Sequence, residues 1–158
     1  MAVLDDFSAP GRWSYVSDQV MGGVSSGWAE FGLEDGRSFA RLSGRVSTAN
    51  NGGFIQIRRT VDGFPPDTTG FLIDARGNGA TYYVHLRTDD ARRPWQFYQA
   101  SFTAPEGWSQ VSIDLSDFEA KGGGLTQVLE PQNVTSIGLV AYGENYDARL
   151  DVARIVLR

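Results

Sequence analysis

The sequence of 158 residues predicts an all-β protein, a jelly-roll or Greek-key sandwich of two antiparallel sheets. Three observations predict this class. No window of about 11 residues shows helical spacing of apolar residues, and turn-forming residues recur roughly every 8–12 positions. Between the turns, apolar and polar residues alternate, as they do in strands with one buried face. Since no linker or repeat divides the chain, we expect one domain over residues 1–158.

In the first half of the chain, alternation predicts four strands, at residues 12–16, 27–33, 39–46 and 54–58. The second and third are joined by Glu34-Asp35-Gly36, and Asp-Gly is a strong hairpin signal. After the fourth strand, Pro65 and Pro66 predict a surface connection, because neither proline can donate to a sheet ladder.

In the second half, the same pattern predicts six strands, at residues 71–75, 81–87, 95–103, 108–115, 134–142 and 148–157. Gly77-Asn78-Gly79 predicts a hairpin between the first two of them. Residues 116–118 predict a single helical turn, and residues 122–124 are three glycines that form a flexible break.

Two glycine doublets stand beside small polar residues, in Asp18-Gln19-Val20-Met21-Gly22-Gly23-Val24-Ser25 and in Asn50-Asn51-Gly52-Gly53-Phe54. Adjacent glycines permit positive φ and a close approach of two backbones. We therefore expect these loops to pack against each other or against a ligand. The side chains that cap unpaired amides there are Asp18, Ser25 and Asn51. The alternative is two tight turns, each held by its own hydrogen bonds.

These residues resemble the signature of the complex I intermediate-associated protein family, named for a thirty-kilodalton mitochondrial factor that helps to assemble respiratory NADH:ubiquinone oxidoreductase. The resemblance rests on the two loops and continues through Tyr98-x-Ala100-x-Phe102 and Ile137-Gly138-Leu139. It implies a galactose-binding-like domain without an active site or cofactor. It also implies an assembly factor or chaperone-like module that binds a protein partner, a respiratory complex subunit or another assembly intermediate. Its motif residues are Trp13, Asp18, Met21, Gly22, Gly23, Ser25, Asn51, Gly52, Gly53 and Phe54, with Tyr82 and Trp108 further along.

One face of three predicted strands is rich in aromatic, arginine and amide side chains. Period-two alternation turns eight residues inward: Ile55, Ile57, Tyr82, Val84, Leu86, Tyr98, Ala100 and Phe102. The opposite face then carries Arg58, Tyr83, His85, Arg87, Phe97 and Gln99, together with Gln56 and Ser101. Such a patch suits a sugar ring, a carboxylate or a peptide, and a carbohydrate-binding module is the alternative function. A merely solvated outer sheet face remains the simpler interpretation.

Catalysis is not expected. Residues 23–27 match G-x-S-x-G, and Ser25, Asp74 and His85 occur in the hydrolase order, but a strand pattern follows where that motif needs a helix. The single histidine and the absence of cysteine leave no His- or Cys-based metal site, and no carboxylate pair fits a glycosidase. A calcium site is an open alternative, because side chains such as Asp18 offer the oxygen ligands that this ion prefers. We expect no enzyme, no cofactor and no metal.

The charge and the ends of the chain limit the partners further. A formal charge of -5 gives no general attraction for nucleic acid. No window approaches about 18 apolar residues, so no membrane span is expected. Residues 1–7 have neither a basic region nor a long apolar run, which predicts no signal peptide and a cytoplasmic location.

Overall fold

Two six-stranded antiparallel sheets form the fold, which confirms the predicted β-sandwich. The computed structural model describes residues 2–158, and of Asn51 only the backbone. The strands are β1 (Ala2–Asp5), β2 (Ser14–Ser17), β3 (Ser26–Glu34), β4 (Arg37–Val46), β5 (Phe54–Thr60), β6 (Gly70–Gly77), β7 (Thr81–Thr88), β8 (Phe97–Thr103), β9 (Ser109–Asp114), β10 (Glu119–Lys121), β11 (Val134–Tyr142) and β12 (Tyr146–Leu157). The helical segments are short 3₁₀ turns at Pro10–Arg12, Asp18–Met21, Ala49–Asn51, Leu115–Asp117 and Pro131–Asn133.

Strand order brings together segments that are distant in the chain. Sheet I has the order β3-β4-β12-β6-β9, and β1 also pairs with β12. Sheet II has the order β10-β8-β7-β11-β5-β2. In sheet II, β11 therefore lies between β7 and β5, although about fifty residues separate it from β7.

The core lies between the sheets and follows the predicted alternation. All eight residues predicted to point inward from β5, β7 and β8 are buried. They belong to one buried hydrophobic cluster with aromatic side chains of sheet I and its neighbouring loops. In that cluster Phe64 packs against Phe71, with ring centroids 5.6 Å apart. Because burying one such side chain contributes about 1.5–3 kcal/mol, the inward faces supply the main driving force of folding.

The turn after β3 forms as predicted, and the turn after β6 does not. Asp35 and Gly36 have φ values of 53° and 77°, which allows a tight hairpin between β3 and β4. The predicted hairpin at Gly77-Asn78-Gly79 is wrong, because β6 belongs to sheet I and β7 to sheet II. Turn chemistry makes the chain reverse, but it does not determine which sheet the next strand joins.

Strand ends and short strands also differ from the prediction. Residues 12–16 give β2 only from Ser14, because Pro10 begins a 3₁₀ turn that ends at Arg12. β8 begins at Phe97, and Trp95 lies in the preceding loop, 58% exposed. The sequence did not predict β1 and β10, which contain too few residues to show an alternating pattern. Within residues 2–158, no helix is long and apolar enough to cross a membrane.

Candidate binding site

The carboxylate of Asp18 is the centre to which both glycine loops are attached. Asp18 is fully buried, and its Oδ1 accepts a hydrogen bond from the N–H of Ser25 at 3.0 Å. Its Oδ2 accepts from Ser25 Oγ at 2.5 Å, from the N–H of Gly53 at 2.6 Å and from the N–H of Phe54 at 3.4 Å. Ser25 Oγ in turn accepts from the N–H of Ser47 at 2.8 Å. A buried carboxylate with charge-assisted bonds thus joins three chain segments.

Glycine is required around this carboxylate for steric reasons. A Cβ on Gly23 would lie 2.4 Å from Asp18 Cγ, and a Cβ on Gly52 would lie 2.4 Å from Asp18 Oδ2. Gly22 has a different role, because its φ of 84° ends the 3₁₀ turn in the left-handed region. The two doublets therefore meet through the Asp18 side chain, which lies between Gly23 and Gly52. Donors rather than acceptors surround the carboxylate, so its environment does not suit the calcium ion that the sequence left open.

The first loop presents apolar side chains to solvent. Val20, Met21 and Val24 are 75%, 58% and 51% exposed. Their backbone is held by the bond from the N–H of Gly23 to the carbonyl of Asp18, at 2.9 Å, and by the bonds to the Asp18 carboxylate. Three exposed apolar side chains on a fixed backbone form a pre-organised contact surface, here called the apolar loop tip.

Trp13, the first residue of the family motif, belongs to a separate buried cluster. Its indole Nε1–H donates to Asp5 Oδ2 at 3.0 Å, and its ring stacks on Phe7 with centroids 5.1 Å apart. Arg59 Nη1 donates to the same Asp5 oxygen at 2.7 Å. The neighbouring carboxylates of Asp5 and Asp6 have different environments, because Asp5 is buried in this cluster and Asp6 is exposed. Trp13 therefore fixes the N-terminal segment rather than contacting a ligand.

The outer face of sheet II carries the predicted polar-aromatic residues. One row across the sheet pairs Gln99 with His85, then His85 with Gly138, then Gly138 with Arg58. The next row contains Tyr83, which is paired with Ser101 on β8 and with Val140 on β11. Adjacent strands lie about 4.8 Å apart, so the strand order combines these side chains into one surface. Gln56, on β5, shares this face and lies opposite Val140.

An aromatic cluster surrounds His85. The imidazole stacks on Phe97 with centroids 4.0 Å apart, and Tyr142 approaches it edge-on at 5.6 Å. Tyr142 also contacts Tyr83 edge-on at 5.7 Å and keeps 37% of its surface exposed. His85 itself is only 8% exposed, although it lies on the outer face of the sheet. The aromatic cluster, defined as Tyr83, His85, Phe97 and Tyr142, is a packed platform with exposed edges.

His85 is neutral at physiological pH. Burial lowers the pKa of its imidazole to about 4, and the hydrogen bond to Gln99 opposes that shift only in part. His85 Nε2 lies 2.9 Å from Gln99 Oε1, which can only accept, so the proton is on Nε2. A neutral, buried imidazole bonded to an amide does not have the properties of a general base near pH 7.

Glycine 138 leaves the centre of the face flat. A Cβ at this position would lie 2.6 Å from Oε1 of Gln56, which covers the backbone there. His85 and Arg58 flank Gly138 on the neighbouring strands. Between the aromatic cluster and the arginine side chains, the surface therefore consists of the backbone at Gly138 and the side-chain amide of Gln56. This amide can form hydrogen bonds with a ligand.

A cationic cleft begins where the face ends. It has a volume of about 530 Å³ and is lined by arginines 12, 58, 59 and 87 together with four hydroxyl-bearing residues, Ser14, Thr60, Thr135 and Ser136, and Ala91. Arg87 Nη2 donates to the carbonyls of Ala91 at 3.2 Å and of Arg93 at 3.0 Å, which fixes its guanidinium on the loop after β7. Burial and the neighbouring charge of Arg58 lower the pKa of Arg87. This group is called the arginine cleft below.

The serine, aspartate and histidine of the G-x-S-x-G hypothesis do not come together. Ser25 Oγ donates to Asp18, Asp74 lies on sheet I, and His85 lies on the outer face of sheet II. Among residues 2–158, no three His, Asp or Glu side chains converge as a metal site. These three residues therefore do not form a catalytic triad.

The sequence profile of the family described as complex I intermediate-associated protein 30 (CIA30) matches residues 4–152. The chain belongs to the CIA30 family. The match includes both glycine loops, the aromatic cluster and the arginine cleft, so these features lie within the family's homologous region in this CIA30 protein. No curated protein sequence matches the chain significantly.

Solved structures similar to this CIA30 protein include carbohydrate-binding modules and, over about a quarter of their length, agarases. The family 11 module from Clostridium thermocellum, solved with a β-1,3-1,4-mixed-linked tetrasaccharide, has a TM-score of 0.78 and 18% identity, covering 99% of this chain and 94% of that one. The family 11 module of the cellulosomal cellulase Lic26A-Cel5E of the same organism has a TM-score of 0.79 and 18% identity, covering 98% and 92%. A family 30 module has a TM-score of 0.62 and 14% identity, covering 90% and 80%. At this identity the similarity shows the fold alone.

Some residues of these surfaces were missed by sequence reasoning. Tyr142 shares the face of His85 because β11 lies beside β7, a pairing that no local pattern reveals. Arg12 reaches the cleft from the segment before β2, where it was assigned to a strand. The only available signal was the alternation of β11, which places residues 138, 140 and 142 on one side. The side chain of Asn51 lies outside the described part of the structure, so its predicted capping role stays a prediction.

The outer face of sheet I in this CIA30 protein holds a cluster of charged side chains that form ion pairs with one another. Buried Asp151 accepts from Arg41 Nε at 2.8 Å and from Arg76 Nε at 2.8 Å. Arg76 also donates to both carboxylate oxygens of Glu34 and lies 4.5 Å from the ring centroid of Trp108. Burial raises the pKa of Asp151, but the bonds from the two arginines outweigh it and lower the pKa overall. Because its charges are paired, this cluster stabilises the sheet rather than attracting a ligand.

Proposed function

We propose that this protein is a non-catalytic protein-binding module, an assembly factor or chaperone-like protein for a multi-protein complex. One observation carries the proposal: the apolar loop tip of Val20, Met21 and Val24 is exposed on a backbone held by the buried Asp18 carboxylate. Exposed apolar side chains that need no ordering on binding are favourable contacts, because little conformational entropy is lost. The non-catalytic role is supported by Ser25, whose hydroxyl is engaged by Asp18.

Membership of the CIA30 family supports an assembly role and suggests which partners to test first. The family's description refers to intermediates of complex I. Subunits and assembly intermediates of respiratory NADH:ubiquinone oxidoreductase are therefore the first candidates, and other membrane-associated or soluble complexes follow. The polar-aromatic face of sheet II provides a second contact surface for the same partner, through amide, arginine and aromatic groups.

The proposal is tested by affinity capture from native lysate, followed by binding of the purified partner. We expect a subunit of a multi-protein complex to be captured, and Met21→Asp to weaken its binding at least about ten-fold, because a charge would have to be desolvated at the contact. Val128→Asp is the matched control, since Val128 is 68% exposed in a different loop. Absence of a captured subunit, or equal capture by both variants, would contradict the proposal.

A second candidate is a carbohydrate-binding module, favoured by the aromatic cluster and by the amide and arginine donors beside it. Exposed aromatic edges beside Gln99 and Arg58 suit a sugar, which offers both an apolar ring face and hydroxyls. The test is a glycan array that includes mixed-linked β-glucan, probed with the parent protein and with Tyr142→Ala. Trp28→Ala is the control, because Trp28 is an exposed aromatic residue of sheet I. An empty array would end this alternative.

A further inference from the structure

The arginine cleft is cationic on a protein whose formal charge is -5. Of its four arginines, Arg59 is neutralised by the buried carboxylate of Asp5, at 2.7 Å. Within residues 2–158, Arg12, Arg58 and Arg87 have no carboxylate within ion-pair distance. Three guanidinium groups therefore line one cleft without a carboxylate in contact with them, and a bound anion would reduce their mutual repulsion.

Arg87 provides a second, independent observation. Its Nε is buried and, among the described residues, has no hydrogen-bond partner, although its Nη2 is bonded to two carbonyls. A buried donor without a partner is unfavourable, and a hydrogen bond to a ligand oxygen would remove that penalty. The planar fork of a guanidinium matches the two oxygens of a carboxylate.

The position of the cleft relative to the apolar loop tip indicates the kind of ligand. β2 runs from Ser14, which lines the cleft, to Ser17, which directly precedes Asp18 and the loop. At about 3.3 Å per residue the three steps of this strand span roughly 10 Å, and the loop begins directly after it. An extended peptide covers that distance with four or so residues, at about 3.3 Å each. A saccharide has no aliphatic side chain for the loop tip, whereas a peptide offers both apolar and acidic groups.

We propose that the arginine cleft binds the side-chain carboxylates of an acidic segment in a protein partner, whose apolar residues contact the loop tip. The proposal rests on the protein-binding function proposed above and specifies the chemistry of the partner. Arg58 and Arg87 receive the carboxylates, Arg12 adds long-range attraction, and the hydroxyls of Ser14 and Ser136 complete the hydrogen bonds.

The test measures fluorescence anisotropy of a labelled extended peptide with glutamates at one end and leucines at the other. We expect it to bind the full chain, and its glutamine-for-glutamate analogue to bind at least about ten-fold more weakly, since each good charge pair contributes roughly one factor of ten. Raising the salt concentration from about 50 mM to about 500 mM should also weaken binding, because exposed charge pairs are screened.

Variants locate the binding on the protein. Arg58→Gln should weaken binding of the acidic peptide about ten-fold, and Arg58→Lys should recover part of the loss because it keeps the charge. Arg58 is exposed and makes no side-chain hydrogen bond among the described residues, so this variant should fold even if Arg87→Gln does not. Arg154→Gln, at an exposed position of sheet I, makes the same charge change away from the cleft and should bind like the parent.

Other results overturn the proposal. Equal binding of the glutamate and glutamine peptides, or equal loss in Arg58→Gln and Arg154→Gln, would show that the cleft does not recognise carboxylates. Binding of oligogalacturonate or inorganic phosphate in place of the peptide would assign the cleft to an acidic saccharide or a free anion. A native partner that depends on Met21 but not on Arg58 would remove this inference and leave the proposed function standing. If peptide binding depends on Arg58 but no native protein partner is found, the carboxylate-binding cleft stands and the proposed function is contradicted.

Discussion

The backbone N–H of Gly53 donates to Oδ2 of Asp18 at 2.6 Å, although the two residues are 35 positions apart in the chain. The same oxygen accepts from Ser25 Oγ at 2.5 Å. One buried carboxylate therefore holds the end of β2, the start of β3 and the start of β5 in one arrangement. The apolar loop tip depends on this arrangement, so stability and partner binding are linked through Asp18.

We expect Asp18→Asn to lower the free energy of unfolding by about 3 kcal/mol, because an amide nitrogen would face N–H donors and the charge-assisted bonds would be lost. Equilibrium unfolding in denaturant measures the change. Asp67→Asn, in the exposed connection after β5, is the matched control and should shift stability by less than about 0.5 kcal/mol. An Asp18→Asn protein as stable as the parent would refute the central role of this carboxylate.

Adding a methyl group at either doublet should disturb the same contact. We expect Gly23→Ala and Gly52→Ala each to destabilise the fold by about 2 kcal/mol, since the new Cβ would lie 2.4 Å from Asp18 atoms. Gly107→Ala is the control, because a Cβ there meets nothing within 4 Å. The effect is measured as a shift of the denaturant midpoint, provided that the dependence of the unfolding free energy on denaturant concentration is unchanged. Equal midpoints for all three variants would mean that the loops are not packed around Asp18.

The buried imidazole predicts a pH dependence of stability. Burial lowers the pKa of His85 to about 4 in the folded protein, whereas the unfolded chain titrates near its ordinary value of 6.5. Between these values the unfolded state binds more protons, so the free energy of unfolding falls as the pH falls from about 6.5 towards 4. The full contribution is on the order of 3 kcal/mol.

The measurement compares the parent with His85→Gln in denaturant unfolding at several pH values. We expect the loss of stability between pH 6.5 and 4 to be smaller in the variant, because the glutamine does not titrate. Carboxylates titrate in both proteins, so only the difference between the two curves is informative. Parallel curves would contradict the burial of a neutral histidine at this position.

The indole of Trp13 should contribute through its hydrogen bond. We expect Trp13→Phe to cost about 1.5 kcal/mol of folding free energy, because the bond from Nε1 to Asp5 is lost while an aromatic ring remains against Phe7. Trp28→Phe, at a position 56% exposed, should be close to neutral. Denaturant unfolding of both variants decides this, and equal effects would show that the Asp5 bond is unimportant.

Much of the architecture was predictable because it is encoded locally. Alternation along β5, β7 and β8 correctly separated Ile57, Val84 and Ala100, which face the core, from Arg58, His85 and Gln99, which face outward. Asp35-Gly36 set a hairpin because Gly and Asp tolerate positive φ. Short segments were less informative. β1 and β10 contain too few residues for a pattern, and Pro10 changed the start of β2.

The sequence alone determined the sandwich, the inward faces of its strands and the two loops in which glycine is needed, because these depend on neighbours within a few residues. Only the tertiary structure decided that Asp18 lies between both doublets, that Tyr142 joins the aromatic cluster and that Arg12, Arg58 and Arg87 share one cleft. Those contacts depend on β11 and β5 lying between β7 and β2, and on β7 joining a different sheet from β6. Pairing between distant strands depends on the packing of the whole chain, which a local pattern does not specify.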